Sequence, residues 1–340
     1  MKVFKRIIIW IIISLTIQSL GLLYLDKKIF VSSNNFKAVK VEDKKKATDK
    51  VINIPQNVEY KNSFDGKYLS YLKDGILNII DTKTGESKSV KTENESKILN
   101  YIWLSDRNRI LFVDKESSEG KKSNFFLNYY DAGKNEVGIV EKLDSLDQGA
   151  VIDSIDASTL HNVTYIKVNE KGVKGVVYRI DINHKITKMN LNSSIIGSIK
   201  VIPHVDRLIY EDDLNGNIYA TNPNIRLSFN NKTKLLYIDS NDIVYVGIVE
   251  GGKISKVMYG GLDTDTGSWK TVLLDKPVDK ENIFVSQKGD VMVNDKLQGI
   301  VKDVTMSKEY KYEGTYLGVY DLGIASTSQG KLIKTPFNKE

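Results

Sequence analysis

The side chains of this 340-residue chain that could do chemistry are few and scattered. Its three histidines, His161, His184 and His204, show neither His-x-x-x-His nor His-Glu-x-x-His spacing, so their order builds no zinc site and no nucleophile–base pair. No cysteine is present, which excludes disulfides, thiolate metal sites, a thiol nucleophile and lipid attachment to an N-terminal Cys. No serine has the flanking glycines of a nucleophile elbow, and no phosphate-binding loop or dinucleotide fingerprint occurs. Glu211-Asp212-Asp213-Leu214-Asn215-Gly216 alternates oxygen ligands and has Gly at the sixth place, as a Ca²⁺ loop does. Glu replaces the usual first Asp, however, and Asn222 stands where the bidentate acid belongs, so a hairpin turn is the better reading. The sequence therefore assigns no catalytic, cofactor-binding or metal-ligating residue, implies no cofactor, and leaves the ligand-binding residues unknown.

The aspartates carry a different message. A short apolar strand runs into Asp and a polar turn at Ile79-Ile80-Asp81-Thr82-Lys83-Thr84-Gly85-Glu86, Tyr129-Tyr130-Asp131, Arg179-Ile180-Asp181, Leu262-Asp263-Thr264-Asp265-Thr266-Gly267 and Val319-Tyr320-Asp321. Asp81, Asp131 and Asp181 are 50 residues apart. An Asp carboxylate caps the N–H groups of its own turn and Gly supplies the left-handed position, so Asp81, Asp131, Asp181 and Asp263 read as structural.

Repetition of that length points to small sheets that bury their faces only against neighbours. Strands rich in β-branched and aromatic residues recur at 68–72, 110–113, 163–168, 208–210, 243–249 and 291–293. Turn pairs such as Asp74-Gly75, Lys171-Gly172, Asn215-Gly216 and Gly251-Gly252 follow most of them. The fold class expected is all-β, a β-propeller of about six four-stranded blades with five to seven possible, and Val51 to Ile54 are available as a closing strand. The 18 tyrosines fit either strand packing or a sugar-stacking surface.

The propeller is expected over residues 59–340, behind a membrane anchor. Residues 7–25 hold no charge and twelve Ile or Leu. Such a helix matches the roughly 30 Å hydrocarbon thickness, and those residues favour insertion by about 4 to 7 kcal/mol. Lys2, Lys5 and Arg6 lie in the short tail 1–6, which the positive-inside rule keeps cytoplasmic, so a single-pass protein of the cell membrane with its bulk outside is expected. A cleaved signal peptide ending near Ser19-Leu20-Gly21 is the alternative, although Leu22, Leu23 and Leu25 prolong the apolar run. Residues 26–58 are rich in Lys, Asp, Asn and Ser and read as a flexible charged stalk.

The 49 basic and 43 acidic residues leave a net +6, and only six of the basic residues are Arg. No basic helix or aromatic-basic run is present, so nucleic acid is not an expected partner.

The strand ending in Asp-x-x-Thr-Gly-Glu, clear at residues 79–86, fair at 261–268 and partial at 131 and 181, resembles the turn of bacterial propellers of the TolB, YVTN and dipeptidyl-peptidase N-terminal kinds. The resemblance implies a disc-like fold with a central channel over roughly residues 60–330 and carries over no active residue. In the dipeptidyl-peptidase kind a hydrolase domain follows the propeller; here the chain ends where that domain would begin. Asp263 to Trp269 resembles the Asp-box of sialidase-like propellers with two departures, Asp263 for Ser and Trp269 one place early, and that box is itself structural. The expected function is binding of an envelope protein or cell-wall glycan without catalysis. The rivals are a glycan-active lyase or glycosidase and a sensor domain acting through a membrane partner.

Overall fold

In the computed structural model the described residues are 2–28 and 51–337, apart from 117–123, 145, 148 and 171–173. They fall into two units divided after Asp49. The first contains a helix over Lys2–Lys28. Among the described residues no helix is long and apolar enough to cross a membrane; the side chains at 7–9, 12, 23 and 25 lie outside them, as does most of the expected stalk, 29–50.

The second unit is built from hairpins. In Tyr68–Lys73 and Ile76–Asp81 the apolar residues face two buried sides, and Asp74 (φ 56°) and Gly75 (φ 82°) join them in the two-residue turn that needs positive φ at both places. An inner strand, Tyr60–Asn62, and a polar outer one, Ser87–Ser89, complete a four-stranded meander. The same order returns at 97–142, 151–188, 196–227, 233–278 and 283–311, and a three-stranded sheet covers 315–336. There are seven blades, one more than the expected six and within the expected range. The seventh escaped the pattern because its central strand, Gly323–Ser328, is Gly-Ile-Ala-Ser-Thr-Ser, small residues that pack without looking like a strand.

Seven apolar clusters hold the ring, each between two adjacent blades. Leu77, Ile79, Ile110 and Phe112 join blades one and two; Val113, Leu127, Ile155 and Ile166 join two and three. Equivalent clusters follow around to Met292, Val301 and Ile324 between six and seven. Leu69, Leu77, Ile110 and Phe112 are fully buried, each worth about 1.5–3 kcal/mol of transfer free energy.

The last cluster closes the circle. Ile52 and Ile54 pack with Tyr60, Leu69, Leu317 and Leu332. Ile54 N–H donates to the Gly330 carbonyl at 2.8 Å, Leu332 N–H to the Ile52 carbonyl at 2.8 Å, and Asn53 bridges Lys331. Residues 52–54 thus stand as the outer strand of blade seven, inside the propeller and ahead of the boundary expected at 59.

The Asp turns join third to fourth strands. Asp81 Oδ1 accepts from the N–H groups of Lys83 and Thr84, both at 2.8 Å; Asp131 does the same for Gly133 and Lys134, while Asp181 accepts from Asn183 and, one residue farther on, Lys185. Asp303 does the same in blade six for Thr305 and Met306. In blade five the cap belongs to Asp265, which accepts from Gly267 N–H at 2.7 Å, rather than to Asp263. Asp321 lies between the first and second strands of blade seven, so its phrase was not a third-strand ending. Later third strands end at Ala220, Gly260, Asp303 and Pro336, closer together than the early spacing.

Candidate functional site

First strands of successive blades pack on one another and so surround the central channel. In blades two to five and in blade seven the pairing of first with second strand slips by one residue, and such bulges re-aim side chains. The slip in blade four, between Ile196 and Ile199, brings the Gly197 carbonyl within 2.9 Å of Lys167 Nζ and Ser198 Oγ within 2.6 Å of Lys280 Nζ.

Here the channel opens into a cavity of about 380 Å³ on the side of the second-to-third-strand turns. Its wall carries Lys167, Lys200, Lys234 and Lys280. The carboxylate of Glu211, 1% exposed, serves two of them: Lys234 Nζ at 2.6 Å and Lys280 Nζ at 3.6 Å. Lys234 also pairs with Asp213, Lys167 meets Asp153 at 2.8 Å, and Lys200 meets Asp156 at 3.4 Å. Outside the cavity lining, Lys61 Nζ donates to the Tyr101 carbonyl at 2.9 Å and sits 4.5 Å from the Tyr101 ring centre. Ser154 Oγ, on the cavity wall, is buried without a hydrogen-bond partner.

The charges are not equally comfortable. Burial lowers the pKa of Lys280, with Lys234 and Lys200 adding to the effect and Glu211 opposing it. Burial likewise lowers Lys61, against Glu59 and together with Lys200. At Lys234 burial also disfavours the charge, but the bonds to Asp213 and Glu211 prevail and raise its pKa.

The opposite end of the channel is spanned. Gln287, in blade six, donates from Nε2 to the carbonyl of Ser105 in blade two, and Ser240 Oγ donates to the Gln287 carbonyl at 2.8 Å. Beside this strap lies an 860 Å³ groove with Met292, Met306, Tyr310 and Phe337 on its wall and the carboxylates of Asp290, Asp303 and Asp321. Asp303 is pushed up by burial first and by Asp290 second.

The residues weighed from sequence stay apart. His161 lies in the turn after the first strand of blade three, His184 contacts the Val140 carbonyl and Glu141, and His204 contacts Asp242 at 3.0 Å; all three are exposed. Asp212 Oδ2 accepts from Asn215 Nδ2 at 2.7 Å and the Asp212 carbonyl from Gly216 N–H at 2.8 Å, so 211–216 is a hairpin turn. Among the described residues no three His, Cys, Asp or Glu side chains gather as a metal site requires. Eleven of the 18 tyrosines are buried, and pairs such as Tyr210–Tyr219 stack at 5.4 Å. The lysine mouth was not anticipated, although Lys167, a charge in the middle of the strand Val163–Glu170, was the available signal.

No family model and no curated protein matches the chain. Its fold is similar to that of the Cps50 (Swd1) β-propeller domain of Myceliophteria thermophila, with a TM-score of 0.53 at 12% identity over 85% of this chain and 99% of that one. A prolyl endopeptidase, described for inter-domain dynamics in catalysis and specificity, gives 0.53 at 13% identity; 75% of this chain is covered, and the match spans 41% of the endopeptidase. TolB from Acinetobacter baumannii gives 0.45 at 17% identity over 82% of this chain and 66% of that one, a likeness on which no argument rests. At these identities what is shared is the architecture: the chain is a β-propeller.

Proposed function

We propose that this chain is a membrane-tethered propeller on the outer side of the cell membrane, which binds an envelope protein or a cell-wall glycan and does not turn it over. The observation that carries this reading is the channel mouth, a cavity of about 380 Å³ whose acids, Asp153, Glu211 and Asp213, are all engaged by lysine. A glycosidase needs two carboxyls free to act across a sugar. In the larger groove Asp290 accepts from Ser286 Oγ and Asp303 caps its turn, so these acids serve the fold.

The tether is supported by the helix Lys2–Lys28, on which Trp10, Ile17, Leu20, Leu22 and Tyr24 are each more than 60% exposed. Apolar side chains around a helix favour hydrocarbon over water. Lys2, Lys5 and Arg6 beside the apolar run support an N-terminus on the inner side.

The test uses the full chain in a nonionic detergent. Mixed with envelope extract it retains a specific partner; incubated with wall polymers and with glycosidase and peptidase substrates it releases no product. Product release abolished by substituting an acidic residue of the propeller overturns the reading in favour of an enzyme.

A further inference from the structure

We propose that the lysine mouth is an oxyanion site that takes the phosphate or carboxylate group of an anionic saccharide. The inference rests on the binding role above and names the chemistry that the partner presents.

Three observations converge. Four ammonium groups line the cavity, Lys167, Lys200, Lys234 and Lys280, against three carboxylates, Asp153, Glu211 and Asp213; Asp156, 3.4 Å from Lys200, lies outside the lining. Lys280 is the least compensated of those on the cavity wall. Its distance to Glu211, 3.6 Å, exceeds hydrogen-bond range, and the same carboxylate is held 1 Å nearer by Lys234. An ammonium has three donors, and Ser198 Oγ at 2.6 Å takes one of them.

The second observation is how Lys280 is buried. Its side chain keeps 32% of its surface, yet burial lowers its pKa. Both hold when the surface that remains faces the cavity and protein surrounds the rest. An anion entering there replaces water beside a charge that the fold has left short of a partner, the setting in which a charge-assisted hydrogen bond is strongest.

The third is the character of the wall. Apart from Ile155 and Ile199 the lining is polar, with Ser154 and Ser198 beside the lysines. An apolar anchor of a peptide finds no pocket, whereas a hydroxylated ligand with one negative group meets hydroxyls and ammonium donors. Lysine binds phosphate or carboxylate as a point charge, so the site does not by itself choose between them.

The full chain in nonionic detergent is titrated calorimetrically with glycerol phosphate, with galacturonate, with a short glutamate peptide and with glucose. Saturable binding of one or both sugar-type anions is expected, with none of glucose, and the preferred anion identifies the group. Lys280→Gln is expected to weaken binding at least tenfold, Lys280→Arg to restore most of it, and Lys83→Gln, in an exposed turn at the opposite face, to leave it unchanged. If Lys280→Gln does not fold, Lys200→Gln, on the same wall, is expected to weaken binding in the same direction. The proposal is overturned if neither anion binds the wild type saturably, if the lysine variants bind as the wild type does, or if the glutamate peptide binds more tightly than both sugar-type anions. A Lys280→Gln chain that still retains its envelope partner removes the oxyanion site and leaves the binding role standing.

Discussion

Gly197 and Glu211 face each other so closely across blade four that a Cβ on residue 197 would lie 3.0 Å from the Glu211 carboxyl carbon. The absence of a side chain at 197 lets a carboxylate reach the buried place from which it holds Lys234 and approaches Lys280. Gly197→Ala is expected to destabilise the protein by about 1–3 kcal/mol, through overpacking and the strained ion pairs. Denaturant melts measure it; an unchanged midpoint would mean that Glu211 can move at no cost.

The Asp turns make a second prediction. Asp81→Ala removes a cap of two N–H groups and is expected to cost about 1 kcal/mol. Gly85→Val is expected to cost more, because residue 85 has φ +73°, where a β-branched residue is strained. The side-chain cap also holds the Asp81 carboxyl below the usual range: burial opposes, and the Thr84 and Lys83 N–H groups outweigh it. A depressed carboxylate stabilises the fold above its unfolded pKa and loses that contribution as pH falls through the folded value. Wild type and Asp81→Ala should therefore converge in stability on acidification, and parallel acid melts would count against the cap.

Asp114 titrates in the other direction. It is 3% exposed in blade two and accepts from Asn128 Nδ2 at 3.0 Å, and burial pushes its pKa up to about 6. A carboxyl raised in the folded state favours the protein while protonated, so its contribution is lost as pH climbs from the unfolded value of about 4 through 6. Asp114→Asn keeps the shape without the charge. It is expected to raise stability at pH 8 by up to about 3 kcal/mol, at about 1.4 kcal/mol per pKa unit, and to have little effect at pH 4. Urea midpoints at the two pH values decide; an equal change at both would assign the effect to packing.

Membrane topology is tested by fusion. A phosphatase joined after Glu340 is expected to be active and a reporter that needs the cytoplasm inactive. The reverse pattern removes both the tether and the envelope partner.

Much of the architecture is legible in the chain and little of the site. Hairpins announce themselves locally, since Asp74-Gly75 dictates a turn by its φ angles and Asp81 a capped strand end by its carboxylate. The count of blades is less legible, because Gly323–Ser328 packs through Ala325 and Ser326, which no β-propensity marks, and because Asp321 repeats the phrase at a different joint. The mouth is illegible for a plainer reason. Lys167, Lys200, Lys234 and Lys280 come from blades three, four and five and the link to blade six, far apart in sequence, and only the packing of those blades side by side makes them neighbours. Even Lys167, conspicuous in the middle of its strand, points to a buried charge without naming Asp153 as its partner.

The closing strand has a mechanical consequence. Blade seven is completed by bonds between residues 52–54 and 330–332, and residues 52–54 are the first of the propeller to be held. Tension arriving along the chain from the N-terminal side is therefore borne first by the seam, at Ile54 N–H to Gly330 and Leu332 N–H to Ile52, before any other blade is loaded. A pull strong enough to part it would peel away the outer strand of blade seven and uncover Leu332, while blades seven and one stay joined by Asp321 N–H to the Phe64 carbonyl at 3.0 Å and by Lys334 Nζ to the Gly66 carbonyl at 2.8 Å.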